Sequence, residues 1–287
     1  MLISSMTVFG TIGLFVRNIA LPSAEIALYR ALLAIVLIGG YFLISGQRIN
    51  FRTIGKALPL LVLSGVAMGI NWILLFEAYR YTTVSVATLS YYFAPVIVTV
   101  ACPILFREKI GLKGWICFGA STLGMVLITG FGILGTGKDI FGILFGLGAA
   151  CFYAAVILLN KTIKGVDGIP RTFLQFCSAA IILLPYVLLT DGVNLGSAGA
   201  DSIILLLVVG LVHTGFTYCL YFTAIKELPG QKAAILSYID PLVAVLASLV
   251  ILKEPMSIPQ IIGGVMILGF TLANELDLRA IFGRKKK

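Results

Sequence analysis

Ten long apolar runs, separated by short charged or turn-rich segments, are the feature that most constrains this chain. Together they occupy most of its 287 residues, and a transmembrane helix needs about 20 largely apolar residues. Charged residues make up 11% of the sequence, whereas soluble domains carry about 25%. A soluble fold would leave large apolar patches in water. The sequence therefore predicts an all-α membrane protein with ten transmembrane helices.

Charged and turn residues between the runs set the limits of the predicted spans. The first run is short for a span, so we expect either that its helix is short and tilted or that the sequence starts a little late. The loops are short, which predicts antiparallel neighbours. The predicted spans are Leu2–Val16, Ser23–Ile44, Ala57–Arg80, Thr83–Leu105, Leu112–Gly130, Ile140–Leu159, Thr172–Leu189, Ser202–Thr223, Lys232–Leu252 and Ser257–Ala273.

Lysine and arginine are distributed unequally between the two sides of this arrangement. Most of them lie on the side that carries the N-terminus, including the basic tail 277–287. Cytoplasmic loops are enriched in these residues, so we expect a multi-pass protein of the plasma (inner) membrane with both termini cytoplasmic. The net charge is +9, but the basic residues lie between apolar runs, which argues against nucleic-acid binding.

The cysteines do not have the spacing of a metal site or a disulfide framework. All five fall within or beside apolar runs, where they are typical of small packing residues. The sequence thus predicts neither a metal nor a cofactor. It also contains nothing like a nucleotide-binding loop, which argues against direct use of ATP. The five are Cys102, Cys117, Cys151, Cys177 and Cys219.

The two halves of the chain resemble each other around a proline in the fourth and ninth runs. Pro95 ends the segment Leu-Ser-Tyr-Tyr-Phe-Ala-Pro and Pro241 ends Leu-Ser-Tyr-Ile-Asp-Pro, with Glu108 and Glu254 equally far downstream. Five spans per copy would place the second copy in the opposite orientation, as in many secondary transporters. We therefore expect two inverted five-helix repeats around a central cavity. The predicted units are 1–134, 135–276 and the tail 277–287.

Several short motifs carry a resemblance to a known family. They are Gly10-x-x-Gly13, Arg30, Pro95 with Phe106-Arg107-Glu108, and Ser237-Tyr238-Ile239-Asp240-Pro241 with Leu252-Lys253-Glu254-Pro255. Along essentially its whole length the chain resembles EamA-type members of the drug/metabolite transporter superfamily, although Phe9 stands where that family often has tryptophan. The resemblance implies ten helices around a central cavity and transport of small metabolites, often export. It leaves the substrate open, because the family is broad.

Two prolines and one carboxylate fall near the middle of predicted spans. Pro95 and Pro241 each remove a backbone donor and free a carbonyl one turn earlier, which favours a paired hinge over a static kink. A carboxylate such as Asp240 at the midplane costs at least about 2.5 kcal/mol. It is therefore expected to contact a substrate amine or carry a coupling proton, or else to have a structural hydrogen-bond partner.

Polar and aromatic side chains at mid-depth are the candidate substrate contacts, because ligand pockets combine apolar walls with a few polar groups. The candidates are Asn71, Trp72, Tyr91, Tyr92, Tyr218, Ser237, Tyr238 and Asp240. Arg30 is predicted to contact an anionic group or to form a buried ion pair with Glu25 or Glu77, and the ion pair is the favoured interpretation. Glu254 is predicted to cap the helix that follows it.

These features favour a secondary transporter that moves a small metabolite by alternating access. The expected substrate is an amino acid or related amphipathic solute, and the expected direction is export. A coupling proton and the oligomeric state are left open. One alternative is an intramembrane lipid-modifying enzyme, although the single histidine and the lack of a nucleophile pair argue against it. Another is transport of a nucleoside or cofactor. A structural or sensing protein would carry no solute at all.

Overall fold

The computed structural model describes residues 1–46, 51–106, 111–132, 138–166, 168–190, 192–225 and 236–275. All regular secondary structure in these ranges is helical. The α-helices are α1 (Leu2–Gly10), α2 (Ile12–Val16), α3 (Ser23–Ser45), α4 (Phe51–Tyr81), α5 (Val84–Tyr91), α6 (Ala94–Phe106), α7 (Leu112–Gly132), α8 (Lys138–Thr162), α9 (Ile169–Leu189), α10 (Ala200–Leu207), α11 (Thr217–Ile225), α12 (Ile239–Val250) and α13 (Ile258–Glu275). A 3₁₀ turn covers Leu195–Ser197 and a π-helix covers Val208–Phe216. Glu108 and the tail 277–287 lie outside the described residues.

Within the residues that the structure describes, ten apolar helical segments correspond in order to the ten predicted spans. Six are long and apolar enough to cross a membrane, namely Ser23–Ser45, Ala57–Tyr81, Val84–Phe106, Asp139–Thr162, Ile169–Leu189 and Ala200–Ala224. Four are shorter, namely Leu2–Val16, Leu112–Ile128, Ile239–Val250 and Ile258–Asn274. The prediction of an all-α, multi-span fold is confirmed.

Three spans are interrupted, which differs from the predicted continuous helices. The first breaks at Thr11, the fourth at residues 92–93 and the ninth at Tyr238. Pro95 and Pro241 therefore lie in the first turns of α6 and α12, not in the middle of unbroken helices. The first turn tolerates proline, because its N–H groups have no helical partner in any case.

The helices bury both apolar and polar side chains between them and also present many large apolar side chains on the outer surface. Helix α4 packs against α3, α8 and α9, while α1 packs against α11 and α12, and α7 against α13. Many bulky apolar residues remain exposed on the outer surface, among them Leu43, Ile181, Val250 and Val265. Such a surface is favourable in contact with lipid and unfavourable in contact with water.

The Gly10-x-x-Gly13 motif lies where α1 and α2 touch other spans without a side chain between them. A Cβ atom on Gly10 would overlap the carbonyl oxygen of Asp240 and lie 2.7 Å from Cβ of Val243. A Cβ atom on Gly13 would lie 2.6 Å from Cγ1 of Val84. Glycine at both positions therefore allows the first span to reach the break in the ninth span and the start of α5.

Three segments of the chain meet at a single carboxylate, Glu254. It accepts a hydrogen bond from the backbone N–H of Val84 at 2.9 Å and one from the Ser248 hydroxyl, and it pairs with Arg17. The preceding residue, Lys253, has the left-handed φ of 53°, which is uncommon for a non-glycine residue. The predicted role of Glu254 is thus corrected. It caps α5, in the other half of the chain, because its loop folds back over that helix.

Candidate functional site

A cavity of about 370 Å³ lies within the bundle, beside the breaks in the first, fourth and ninth spans. Its lining combines apolar, aromatic and polar side chains. Six of the eight predicted substrate contacts line it, and these are Trp72, Tyr91, Tyr92, Tyr218, Ser237 and Asp240. A cavity of this size, apolar with a few polar groups, is typical of a site for a small organic molecule.

Asp240 is held at the cavity by a tyrosine from the opposite half of the chain. The hydroxyl of Tyr92 donates to Oδ2 of Asp240 at 2.6 Å. Tyr92 lies at the break between α5 and α6, and Asp240 lies in the first turn of α12. The two helix breaks are therefore joined directly by a hydrogen bond between the two halves of the chain.

Aromatic rings form most of one wall of the cavity. Tyr218 packs edge-on against Phe9 and Phe176, with ring centroids 5.0 Å and 5.3 Å away. Trp72 contacts Phe176 at 5.4 Å. Edge-to-face contacts like the two of Tyr218 add about 0.5–1.5 kcal/mol each beyond burial. The wall is therefore a packed unit, and it presents flat apolar surfaces to the cavity.

Arg30 also lines the cavity and is 5% exposed. Its Nε atom donates to the hydroxyl of Thr214 at 2.6 Å. Its Cζ atom lies 4.2 Å from the ring centroid of Trp72 and 5.6 Å from that of Phe76. A cation above an aromatic face is stabilised by about 0.5–2 kcal/mol, depending on exposure. These contacts fix the guanidinium beside the aromatic wall.

The predicted ion pairs of Arg30 are wrong. Glu25 instead accepts hydrogen bonds from the backbone N–H of Asn194, at 2.9 and 3.1 Å, and from its side-chain amide. Glu77 pairs with Arg80 at 3.2 Å, one helical turn away. Because Glu25 begins α3 and Glu77 lies near the end of α4, both carboxylates reach partners near the helix ends, away from Arg30.

Two predicted substrate contacts do not lie at the cavity. The Asn71 amide donates to the carbonyl of Ala149 at 2.6 Å, which ties α4 to α8 and leaves the side chain buried. Tyr238 lines a separate apolar groove, together with Leu242 and Val245. Ser237 and Asp240 both line the cavity, whereas Tyr238, at the helix break between them, lines the groove.

The structure adds polar lining residues that the sequence did not single out. The Gln175 amide donates to the Ser64 hydroxyl at 2.6 Å and to Oδ1 of Asn160 at 2.7 Å. Gln175 and Asn160 line the cavity, as do Tyr79, Thr88 and Tyr221. Gln175 carries the one amide side chain in the apolar run 172–189. This isolated amide is the sequence feature that could have identified Gln175 as a candidate.

The π-helix in the eighth span carries a side chain that contacts Arg30 at the site. Its wider turns let the Thr214 hydroxyl donate to the carbonyl of Val209, five residues earlier, at 2.8 Å while it accepts from Arg30. The neighbouring His213 is buried, and its Nε2 atom lies 3.0 Å from the Thr11 hydroxyl. π-Helical segments often occur at functional sites, but no residue pattern in the sequence predicts this one.

Comparison with known proteins gives a consistent result over the whole chain. The model of the EamA-like transporter family matches residues 1–130 and 140–274. An uncharacterized transporter of Bacillus subtilis, YxxF, is 30% identical over 93% of this chain and 85% of its own length. An uncharacterized transporter of Archaeoglobus fulgidus is 28% identical, over 94% of this chain and 93% of its own. A solved crystal structure of a protein shares the fold with a TM-score of 0.67 and 15% identity, over 96% of this chain and 95% of that one.

Proposed function

Since this chain belongs to the EamA-like transporter family of the drug/metabolite transporter superfamily, we propose that it is a secondary transporter. It carries a small metabolite across the plasma membrane by alternating access, as a carrier and not as an enzyme. The observation that supports this most directly is the position of the cavity. It lies beside the helix breaks at Thr11, residues 92–93 and Tyr238. A change in helix direction at these breaks would alter the access of solute to the cavity.

The proposed architecture is two inverted five-helix repeats, 1–134 and 135–276, with the basic tail 277–287 and both termini in the cytoplasm. The motifs around Pro95 and Pro241 support it, since each proline follows a helix break at the cavity. In this arrangement the two prolines act as a paired hinge. The Glu254 end of the bundle then faces the outside of the cell.

The proposed substrate is an amino acid or a related amphipathic solute, and the proposed direction is export. A carboxylate and a cation, Asp240 and Arg30, line the same cavity as the aromatic wall. Asp240 is the proposed site for the substrate amine or for a coupling proton, because an ionised carboxylate at membrane depth needs a cationic or hydrogen-bonding partner.

A flux assay tests the transporter proposal directly. Purified protein in proteoliposomes should move at least one amino acid from a metabolite panel well above protein-free vesicles, and an imposed pH gradient should change the rate. The panel includes nucleosides and cofactors as competing substrates. Absence of flux for every solute, together with activity on a lipid substrate, would replace the transporter by an intramembrane enzyme.

The paired hinge has its own test. Alanine in place of Pro95 or Pro241 restores a backbone donor and favours a continuous helix, so each variant should turn over more slowly while it still binds substrate. The measurements are the initial flux rate and the equilibrium affinity of each variant. Wild-type rates in both variants would show that the prolines only fix a static kink.

A further inference from the structure

Arg30 is a charged side chain deep in the bundle whose surroundings do not neutralise it. It is 5% exposed, and a charge placed within a membrane span costs several kcal/mol unless it is paired or hydrated. Among the described residues, no carboxylate oxygen lies within 4.0 Å of its guanidinium nitrogens. Glu25 and Glu77 have other partners, and Asp240 accepts from Tyr92.

The protein uses only part of the guanidinium's hydrogen-bonding capacity. Arginine has five N–H donors in a planar fork. Within the described part of the chain, Nε has a partner, the Thr214 hydroxyl, and the two terminal nitrogens have none. The aromatic contacts with Trp72 and Phe76 hold the guanidinium plane in place without using those donors. The terminal donors are therefore available on a side chain that lines the cavity.

We infer that Arg30 is the anion receptor of the cavity and that the transported solute carries a single carboxylate, bound by the two terminal nitrogens. This inference rests on the proposed transport function and specifies its substrate class. A planar fork matches a carboxylate bidentately. The apolar body of the solute lies against Trp72 and Tyr218, the wall next to the guanidinium.

A dianion such as a phosphate monoester fits this cavity less well. Arg30 is the one cation in its described lining, where it lies together with the carboxyl group of Asp240. One cation balances one negative charge, and a second would remain uncompensated in a low-dielectric site. The Asp240 carboxyl group suits a solute that carries an amine as well as a carboxylate. The charges therefore favour a monoanionic or zwitterionic solute.

The test uses tryptophan fluorescence, because the site contains its own reporter. The chain has two tryptophans, and Trp115 is 53% exposed on α7. A Trp115→Phe variant leaves Trp72, beside Arg30, as the single reporter. The probes are leucine, methionine and phenylalanine, each paired with its carboxamide, which keeps the shape and the amine but removes the negative charge.

At least one acid should change Trp72 fluorescence and bind roughly 10- to 100-fold more tightly than its amide, the range expected for losing hydrogen bonds to a charged group. Arg30→Gln should lower the affinity for that acid to the level of the amide and leave the amide unchanged. Arg30→Lys, which keeps the charge but not the fork, should fall between them. Arg80→Gln is the matched control, since Arg80 pairs with Glu77 near a helix end and does not line the cavity, so this variant should keep the preference for the acid.

Several results overturn the inference. They are no acid binding in any of the three pairs, equal binding of acid and amide by the wild type, or an equal loss of both in Arg30→Gln. Inorganic phosphate that displaces the bound acid at a lower concentration than acetate overturns the single-charge assignment. If Arg30→Gln does not fold, the wild-type comparison of acid with amide decides alone.

The same reagents separate this inference from the transporter proposal. Flux of amides or amines that does not respond to Arg30→Gln would leave the transporter intact and remove the anion receptor. Acid-selective binding without flux in proteoliposomes would keep the receptor and remove the transporter.

Discussion

Replacing Asp240 by asparagine should reduce substrate flux by about tenfold or more and abolish its response to a pH gradient. The substitution keeps the shape of the side chain but removes the charge that accepts from the Tyr92 hydroxyl at 2.6 Å. A hydrogen bond to a charged group is worth about 1.5–3 kcal/mol, which corresponds to roughly 10- to 100-fold in an equilibrium or a rate. The measurement is initial flux in proteoliposomes over a range of external pH.

A Tyr92→Phe variant provides the matched control. It removes the hydrogen bond between the two helix breaks and leaves the carboxylate in the cavity. If Asp240 contacts the substrate or a proton, Tyr92→Phe should retain more flux than Asp240→Asn and keep its pH response. If the two variants are equally impaired and both keep the pH response, the carboxylate serves only to hold the two breaks together.

Gly10→Ala should destabilise the protein by about 2 kcal/mol or more and reduce flux as well. The added methyl group would overlap the carbonyl oxygen of Asp240, and its neighbour Val243 offers no space beside it. Overpacking of this kind typically costs about 1–3 kcal/mol. Here backbone obstructs the new atom, so the first span must move away from the ninth. Thermal unfolding in detergent and proteoliposome flux measure the two effects.

Gly40→Ala is the control for Gly10→Ala, because Gly40 lies in helix α3 and a Cβ atom added to it would have no other atom within 4 Å. Alanine in an open helical position should raise stability by about 0.4–1 kcal/mol. Equal melting temperatures for the two variants would mean that the contact between Gly10 and Asp240 does not stabilise the fold.

The fold was accessible from the sequence because lipid exposure requires long apolar runs. The limits Leu2–Val16 and Thr172–Leu189 agree with the helices to within a few residues. The prolines also marked the regions where the fourth and ninth spans break. The break at Thr11 and the π-helix at Val208–Phe216 carry no proline. Thr11 and His213 of the π-helix contact each other at 3.0 Å, across spans that are distant in the sequence.

The site was accessible in part for the same reason. Polar residues in apolar runs must face protein or a cavity, and this pointed to Asp240 and Arg30. Sequence position does not say which of those two environments a polar side chain meets. Asn71 and Trp72 are adjacent, yet one is bonded to a backbone carbonyl and the other lines the cavity. The partner of Glu25 could not be predicted either, because Asn194 is distant in the sequence.

In the proposed transport cycle, the contacts of Glu254 determine what must separate when its end of the bundle opens. One carboxylate serves the first turn of α5, a serine of α12 and the loop that follows α2. A movement that separates any one of these segments from Glu254 removes a partner of its carboxylate. The lost interaction is not replaced until water reaches the group. In the proposed transport cycle, opening at this end should therefore break these contacts together, and a half-open passage should be disfavoured.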